Sequence, residues 1–150
     1  MKIRIITKRE VEESPYIVWN AFVDLLAMER YDDLDPEQRP AHLVFCYESE
    51  IQNGGHLQYF ENRGTKYLNE TVQALGDLGA ACHKMILREA GDLFLSLERP
   101  HIQTAEEYSA VALNGEFDEL DLRFGTCSPS LIECLQAHLA VHQSSFVAVI

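Results

Sequence analysis

Short pairs of a capping residue and a proline divide this sequence into segments with helical periodicity. Ser14-Pro15, Asp35-Pro36 and Ser128-Pro129 each place a helix-capping side chain before proline, the residue favoured at the first helical position. Apolar residues after each pair recur at steps of three and four, as they do in amphipathic helices. Little of the chain is left for a sheet, so the pattern predicts a mainly α-helical protein.

The periodic segments predict a compact single-domain bundle of about seven helices that spans residues 1–150. The main segments run near residues 15–31, 36–53, 66–79, 80–98, 104–114, 116–125 and from 128 onward. The first is apolar on nearly every side, so it is either central to the bundle or covered by a partner. Residues 2–6 (KIRII) and 146–150 (FVAVI) have strand character and could pair with each other or with a second copy.

The distribution of charge constrains the partners of this chain. The net charge is −12, from 24 acidic and 12 basic residues, and the stretch from residue 100 onward holds seven acids and only Arg123 as a base. Such a surface repels nucleic acid and anionic membranes and attracts basic protein surfaces. Ten acids form the candidate binding surface: Asp32, Asp33, Asp35, Glu37, Glu106, Glu107, Glu116, Asp118, Glu119 and Asp121. Eight of them form two clusters: Asp32, Asp33, Asp35 and Glu37 between the first two helices, and Glu116, Asp118, Glu119 and Asp121 before the last. We expect at least one of these clusters to join Glu106 and Glu107 in a continuous negative stripe.

No pattern of catalytic residues or metal ligands emerges from the sequence. The four cysteines form no C-x-x-C pair and are expected to be reduced and mostly buried. A nucleophilic pair would need the fold to bring His56 or His83 to Cys46 or Cys82, and no local motif supports it. Cys134, His138 and His142 share one face of the last helix but lack a metalloprotease motif. We therefore predict no catalytic residue, no metal and no cofactor, and an enzyme is the least favoured class.

Location is predicted from what the chain lacks. No run approaches the roughly 18 consecutive apolar residues of a membrane helix, and the first residues contain no apolar block typical of a signal peptide. We therefore expect a cytoplasmic protein without a membrane partner.

The stretch ESEIQNGGHLQYFEN, residues 48–62, contains an Asn-Gly-Gly turn between two segments of helical periodicity. Asn53, Gly54 and Gly55 are predicted to end one helix and start another that folds back sharply, with a glycine in the left-handed conformation. Polar residues crowd this corner, and such groups either satisfy free helix ends or display side chains to a partner. Both interpretations stay open.

This stretch resembles a motif of a bacterial family of domains of unknown function, Glu-Val-Asn-Asn-Gly-Gly-Phe-x-Gln-aromatic-Phe-x-Asn. The matching residues are Glu50, Asn53, Gly54, Gly55, Gln58, Tyr59, Phe60 and Asn62. His56 stands where the family has phenylalanine or a similar apolar residue, so a wetter corner is expected. A second match is Leu-Asp-x-Arg-Phe, found at residues 120–124, and the resemblance spans roughly residues 15–145.

The family includes an acidic DNA-mimic protein that binds a transcriptional repressor. The resemblance therefore implies an all-helical domain and, by analogy with that member, competition with DNA for a basic DNA-binding regulator. The favoured function is an acidic protein-binding module, with DNA mimicry as its specific form. An inhibitor of the immunity or antitoxin type is the alternative, and a homodimer also stays open.

Overall fold

The computed structural model describes residues 1–96 and 98–150 and shows a mainly α-helical fold. In these residues eight α-helices occur in chain order: α1 (Lys8–Glu13), α2 (Ile17–Met28), α3 (Arg39–Arg63), α4 (Leu68–Asp77), α5 (Ala81–Ser96), α6 (Ala105–Ala112), α7 (Asp118–Thr126) and α8 (Leu131–His142). Two short strands, β1 (Arg4–Ile6) and β2 (Val147–Val149), stand at the two ends of the chain. Leu97, an apolar position of the predicted 80–98 helix, lies outside the described residues.

The predicted pairing of the two ends is confirmed. Strands β1 and β2 form a parallel two-stranded sheet in which Arg4 lies beside Val147 and Ile6 beside Val149. An isolated ribbon of this length is marginal, and here the bundle supports it. The buried side-chain amide of Gln38 donates to the carbonyl oxygens of Lys2 (2.6 Å) and Ser145 (2.8 Å), which ties both ends to the start of α3.

The predicted helix starts are displaced by two or three residues at each proline pair. Ser14 ends α1 instead of capping α2, and Asp35-Pro36 lies in a turn before α3. The cap of α8 is Ser130, whose hydroxyl accepts from the backbone N–H of Glu133 at 3.1 Å, and not Ser128. Ser130 caps α8 because its oxygen reaches an N–H three positions on, whereas α2 and α3 begin without a side-chain cap.

Helix α1 was not expected from the sequence. Thr7 and Glu10 form a capping box, in which the Thr7 hydroxyl accepts from the Glu10 N–H and the Glu10 carboxylate accepts from the Thr7 N–H. This box offsets the cost of starting a helix of only six residues with no buried side chain.

The hydrophobic core lies where α2, α3, α4, α5, α7 and α8 meet, with α3 in contact with α2, α4, α7 and α8. Phe22, Leu25 and Leu26 of α2 are fully buried, and Phe22 packs edge to face on Phe146 beside the terminal sheet (ring centroids 4.9 Å apart). The outer face of α2 carries the exposed Asn20 and Asp24. One face of α2 is therefore covered by the bundle itself.

The expectation of four reduced cysteines is wrong for two of them. Cys82 at the start of α5 and Cys127 at the end of α7 form a disulfide, with Cα atoms 5.7 Å apart. Cys46 and Cys134 are free and buried, as expected. Residues 45 positions apart can meet only through the packing of α5 on α7, which sequence spacing does not reveal.

Across the described residues, no helix is both long and apolar enough to span a bilayer.

Candidate functional site

Helix α3 breaks at Gly54 and Gly55, and the chain reverses there. Gly54 (φ −160°, ψ 15°) and Gly55 (φ 75°, ψ −170°) leave the helical conformation. Twelve residues of straight helix would separate their ends by about 18 Å, yet the rings of Tyr47 and Tyr59 have centroids 5.1 Å apart. The arms 39–53 and 56–63 therefore lie side by side, as predicted. We call residues 50–62 the glycine corner.

Glu50 joins the two arms of the glycine corner. Its carboxylate accepts from the side-chain amides of Gln58 (3.1 Å) and Asn62 (2.8 Å), and Arg63 approaches it to 3.5 Å. These four side chains lie on both sides of the break, so their contacts hold the arms together. Asn53 is exposed at the tip of the corner.

His56 is fully buried behind Gly55, and the expectation of a wetter corner at this position is wrong. Its Nδ1 donates to Asp121 Oδ1 at 2.6 Å, because a carboxylate oxygen only accepts. Its Nε2 lies 2.7 Å from the Tyr47 hydroxyl, and its backbone N–H donates to the same Asp121 oxygen at 2.9 Å. Every polar group of the imidazole is thus satisfied inside the protein, which is what burial of a histidine requires.

Asp121 of α7 therefore docks α7 onto the glycine corner. Its carboxylate lies directly over Gly55, where a side chain would have to stand: an added Cβ would meet Oδ2 at 2.5 Å. Asp121 is one of the ten acids predicted for the binding surface, but its oxygens face inward and only 33% of its side chain is exposed. The sequence offered a signal for this contact in the Leu-Asp-x-Arg-Phe match at residues 120–124.

Two further acids of the predicted set are paired. The Asp33 carboxylate accepts from the Arg30 side chain at 3.3 Å, and Glu116 forms a bidentate salt bridge with Arg99. In the described residues, the other seven make no ion pair with a basic side chain, and all but Asp35 are exposed: Asp32, Asp35, Glu37, Glu106, Glu107, Asp118 and Glu119.

Four of these unpaired acids lie in the first turns of two helices that meet at the glycine corner. Glu106 and Glu107 begin α6, and Asp118 and Glu119 begin α7. We call these four residues, two on each helix, the α6–α7 acidic surface; that they join in one continuous stripe stays a prediction. A small cleft of about 70 Å³ brings α6, the start of α7 and Gly54 together. Arg123, the one base after residue 100, donates to Glu89 of α5 at 2.6 Å and forms no ion pair with these four carboxylates. Glu89 and, to a lesser extent, Glu119 raise the pKa of Arg123, so Glu119 has this cation nearby.

Tyr108 of α6 reports the negative charge at this junction. Burial raises the pKa of its hydroxyl, and the carboxylates of Glu61, Asp121 and Glu50 raise it further. Carboxylates of the glycine corner and of α7 thus act on a residue of α6.

The second acidic cluster lies beside the terminal sheet. Asp32 and Asp33 occupy the turn Tyr31–Asp33, and Glu37 lies 3.5 Å from the hydroxyl of Ser145. Whether this cluster or the α7 cluster extends the acids of α6 into one stripe stays a prediction.

The pairs of cysteine and histidine that no local sequence motif supports do not form in the described residues. His56 is held by Tyr47 and Asp121, the ring of His83 packs edge to face on Phe124, and Cys82 is in a disulfide. A different pair forms instead: His42 Nε2 lies 3.7 Å from Cys46 Sγ on the inner face of α3. The spacing of four residues within a helical segment is the signal that would have found it.

No cluster of three or more metal-binding side chains occurs in residues 1–96 and 98–150. The rings of His138 and His142 lie near each other, with centroids 4.4 Å apart, but Cys134 does not complete a site with them.

A helical bundle with a broken central helix, a buried polar network at the break and unpaired acids beside it defines a small acidic α-helical domain. A family profile described as DMP19-like protein matches residues 32–142. The chain therefore belongs to the DMP19-like protein family. No curated protein and no solved structure matches it significantly.

Proposed function

We propose that this protein is an acidic protein-binding module that mimics DNA and occupies the DNA-binding surface of a basic regulator. The observation that carries the proposal is the α6–α7 acidic surface: Glu106, Glu107, Asp118 and Glu119 are exposed and have no basic partner in the described residues. Membership of the DMP19-like family supports the proposal, because the family that the motif at residues 50–62 resembles includes a DNA-mimic protein.

This chain carries too little negative charge to mimic DNA unless its acidic residues are concentrated on one surface. A compact domain of this length has a radius of gyration near 15 Å and a diameter of roughly 38 Å. Duplex DNA presents about 22 phosphate charges over that length, whereas the whole chain has a net charge of −12. Only a surface from which basic residues are excluded could reach a comparable local density.

The positions of the basic residues support such segregation. Lys2 and Arg4 of the basic N-terminal segment pair with Glu29 of the α2 end and with Asp24 of α2, and Arg9 pairs with Glu13. These pairs neutralise acids near the N-terminus. In the described residues, Glu106, Glu107, Asp118 and Glu119 form no such ion pair, whereas Glu116 between the two helices is paired with Arg99. The expected partner is therefore a basic protein, and a DNA-binding regulator would place the pair in the cytoplasm.

The test compares two variants of equal net charge. The surface variant carries Glu106→Gln, Glu107→Gln, Asp118→Asn and Glu119→Gln. The control variant carries Glu12→Gln, Asp77→Asn, Asp92→Asn and Glu98→Gln, four exposed acids on other parts of the chain. Both lose four negative charges, so only the position of the lost charge differs.

Each immobilised variant is incubated with host lysate and eluted with a salt gradient. The proposal expects a basic DNA-binding protein that the parent and the control retain, that the surface variant loses, and that salt elutes, because screening shortens the reach of exposed charges from about 10 Å at 0.1 M to about 3 Å at 1 M. Equal retention by both variants, or a complex unchanged at high salt, would contradict mimicry. A neutral or membrane-associated partner would favour the immunity-type alternative.

A further inference from the structure

A cavity of about 440 Å³ opens between the C-terminal end of α2, the two arms of α3 and the start of α4, apart from the acidic surface. Its size is within the range of small-molecule sites, and three tyrosines contribute to its walls. Tyr31 and Tyr67 stand together on one side with ring centroids 4.1 Å apart, and Tyr59 contributes another wall. His42 and Cys46 line the same cavity.

The hydrogen bonds of His42 define which nitrogen faces the thiol. Its Nδ1 lies 2.9 Å from the backbone carbonyl oxygen of Leu26, and a carbonyl only accepts, so Nδ1 carries the hydrogen. Nε2 is then the unprotonated nitrogen of the neutral ring, and it lies 3.7 Å from Cys46 Sγ. The Leu26 carbonyl fixes the imidazole in the orientation that a general base for Cys46 would need.

We propose that this cavity is a ligand site in which Cys46 adds to an α,β-unsaturated carbonyl compound, with His42 as the general base. As Sγ forms a bond to the β-carbon, the thiol proton passes to His42 Nε2 and the π electrons of the C=C bond move toward the carbonyl. The imidazolium then returns the proton to the α-carbon. The addition is redox-neutral and releases no leaving group.

The protonation states agree with this sequence of steps. Burial raises the pKa of the Cys46 thiol, so the sulfur keeps its proton until a base removes it. Burial also lowers the pKa of His42, which keeps the imidazole neutral and able to accept that proton. Arg63, which lines the same cavity, carries N–H groups suited to the carbonyl oxygen of such a compound.

The chain contains its own control for this proposal. Cys134 is also free and buried, at 4% exposure against 8% for Cys46. It also has a histidine four residues away in its helix, but His138 follows Cys134 whereas His42 precedes Cys46. Within the described residues, however, His138 Nε2 has no hydrogen-bond partner, and Cys134 lines none of the larger cavities. The two thiols thus differ in the imidazole contact and in the cavity, but hardly in burial.

The probe is N-ethylmaleimide, an electrophilic conjugate acceptor, added to the native full-length protein, with the modified cysteine identified by peptide mass spectrometry over time. We expect Cys46 to react at least about tenfold faster than Cys134, and His42→Gln to slow Cys46 by about a hundredfold or more, the usual contribution of a general base. The matched variant His138→Gln should leave the Cys46 rate unchanged.

Equal rates for the two cysteines in the parent would overturn the proposal, and this comparison needs no substitution that could disturb folding. A Cys46 rate that stays unchanged in a folded His42→Gln variant, verified by circular dichroism, would overturn the role of His42 as base. Fast labelling of Cys134 instead would show that general opening of the fold, and not the cavity, controls access to the thiols.

Discussion

Replacing Gly55 with alanine tests the glycine corner most sharply. Gly55 has φ 75° and ψ −170°, a region that side chains other than glycine rarely occupy, and strain there amounts to about 1–3 kcal/mol. The new Cβ would also stand 2.5 Å from Asp121 Oδ2 and 2.9 Å from its Cγ, so the carboxylate must move.

Movement of Asp121 breaks a second set of contacts. Its Oδ1 accepts from both the backbone N–H and the Nδ1 of His56, and hydrogen bonds to charged groups contribute about 1.5–3 kcal/mol each. Counting the backbone strain and the loss of one of these two bonds, we expect a total loss of roughly 3–6 kcal/mol. For a domain of this size, each kcal/mol corresponds to about 2–4 °C in Tm, so Gly55→Ala should lower Tm by roughly 6–24 °C.

Two other glycines separate backbone strain from the contact with Asp121. Gly64 has nearly the same backbone conformation (φ 64°, ψ −154°), yet an added Cβ would meet no atom within 4 Å. Gly125 lies within helix α7, also with open space around it. Thermal unfolding followed by circular dichroism should give a moderate decrease for Gly64→Ala and no decrease for Gly125→Ala, since alanine is favoured in a helix.

The reasoning fails if Gly55→Ala and Gly64→Ala lower Tm equally. In that case the contact between Gly55 and Asp121 would contribute nothing beyond backbone strain. A Gly55→Ala variant as stable as the parent would refute the sharp corner itself.

Three further predictions follow from the same contacts. Asp121→Ala should destabilise the fold by about 2–4 kcal/mol in urea titrations, because it leaves the buried His56 Nδ1 unpaired. Glu119→Ala on the same helix should change the free energy of unfolding by less than about 0.5 kcal/mol. Equal effects of the two substitutions would count against the docking role of Asp121. Reduction of the Cys82–Cys127 disulfide, which closes a loop of 45 residues, should lower stability by up to about 4 kcal/mol, and a Tm that does not respond to a reductant would argue that the bond is not formed. Burial lowers the pKa of His83 below its ordinary 6.5, so below pH 6.5 the unfolded chain binds a proton that the folded chain does not, and stability is lost as the pH falls. Between pH 7 and 5, the free energy of unfolding of His83→Leu should therefore fall less than that of the parent. Parallel curves of stability against pH would contradict a lowered pKa for His83.

The sequence predicted most of the fold because local signals and tertiary packing agree along most of it. Apolar residues at helical spacing identified α2, α4, α5 and α8, and the capping pair Thr104 and Glu107 marked the start of α6, where the Thr104 hydroxyl accepts from the Glu107 N–H at 3.1 Å. The strand character of the two ends was enough to predict that they meet. Helix starts were displaced because a capping residue before proline does not by itself fix the first turn: α2 and α3 begin after Tyr16 and Gln38 without a side-chain cap, and α8 is capped by Ser130.

The glycine corner could be predicted in its backbone but not in its chemistry. Gly54 and Gly55 between two helical segments indicated the reversal, since only glycine adopts the required conformation easily. The partner that explains the buried His56 is Asp121, 65 residues further along the chain. The same limit applies to Cys82 and Cys127, because pairs of distant residues depend on how α5, α7 and α3 pack together.

Competition with DNA is the measurement that tests the central claim most directly. A basic DNA-binding protein retained by the α6–α7 acidic surface is bound to labelled duplex DNA that contains its site, and the present protein is added while fluorescence anisotropy is followed. The proposal predicts that the parent releases the DNA, that the Glu106, Glu107, Asp118 and Glu119 variant does not, and that the control variant of equal charge still does. A ternary complex in which the regulator holds both the DNA and this protein would contradict DNA mimicry.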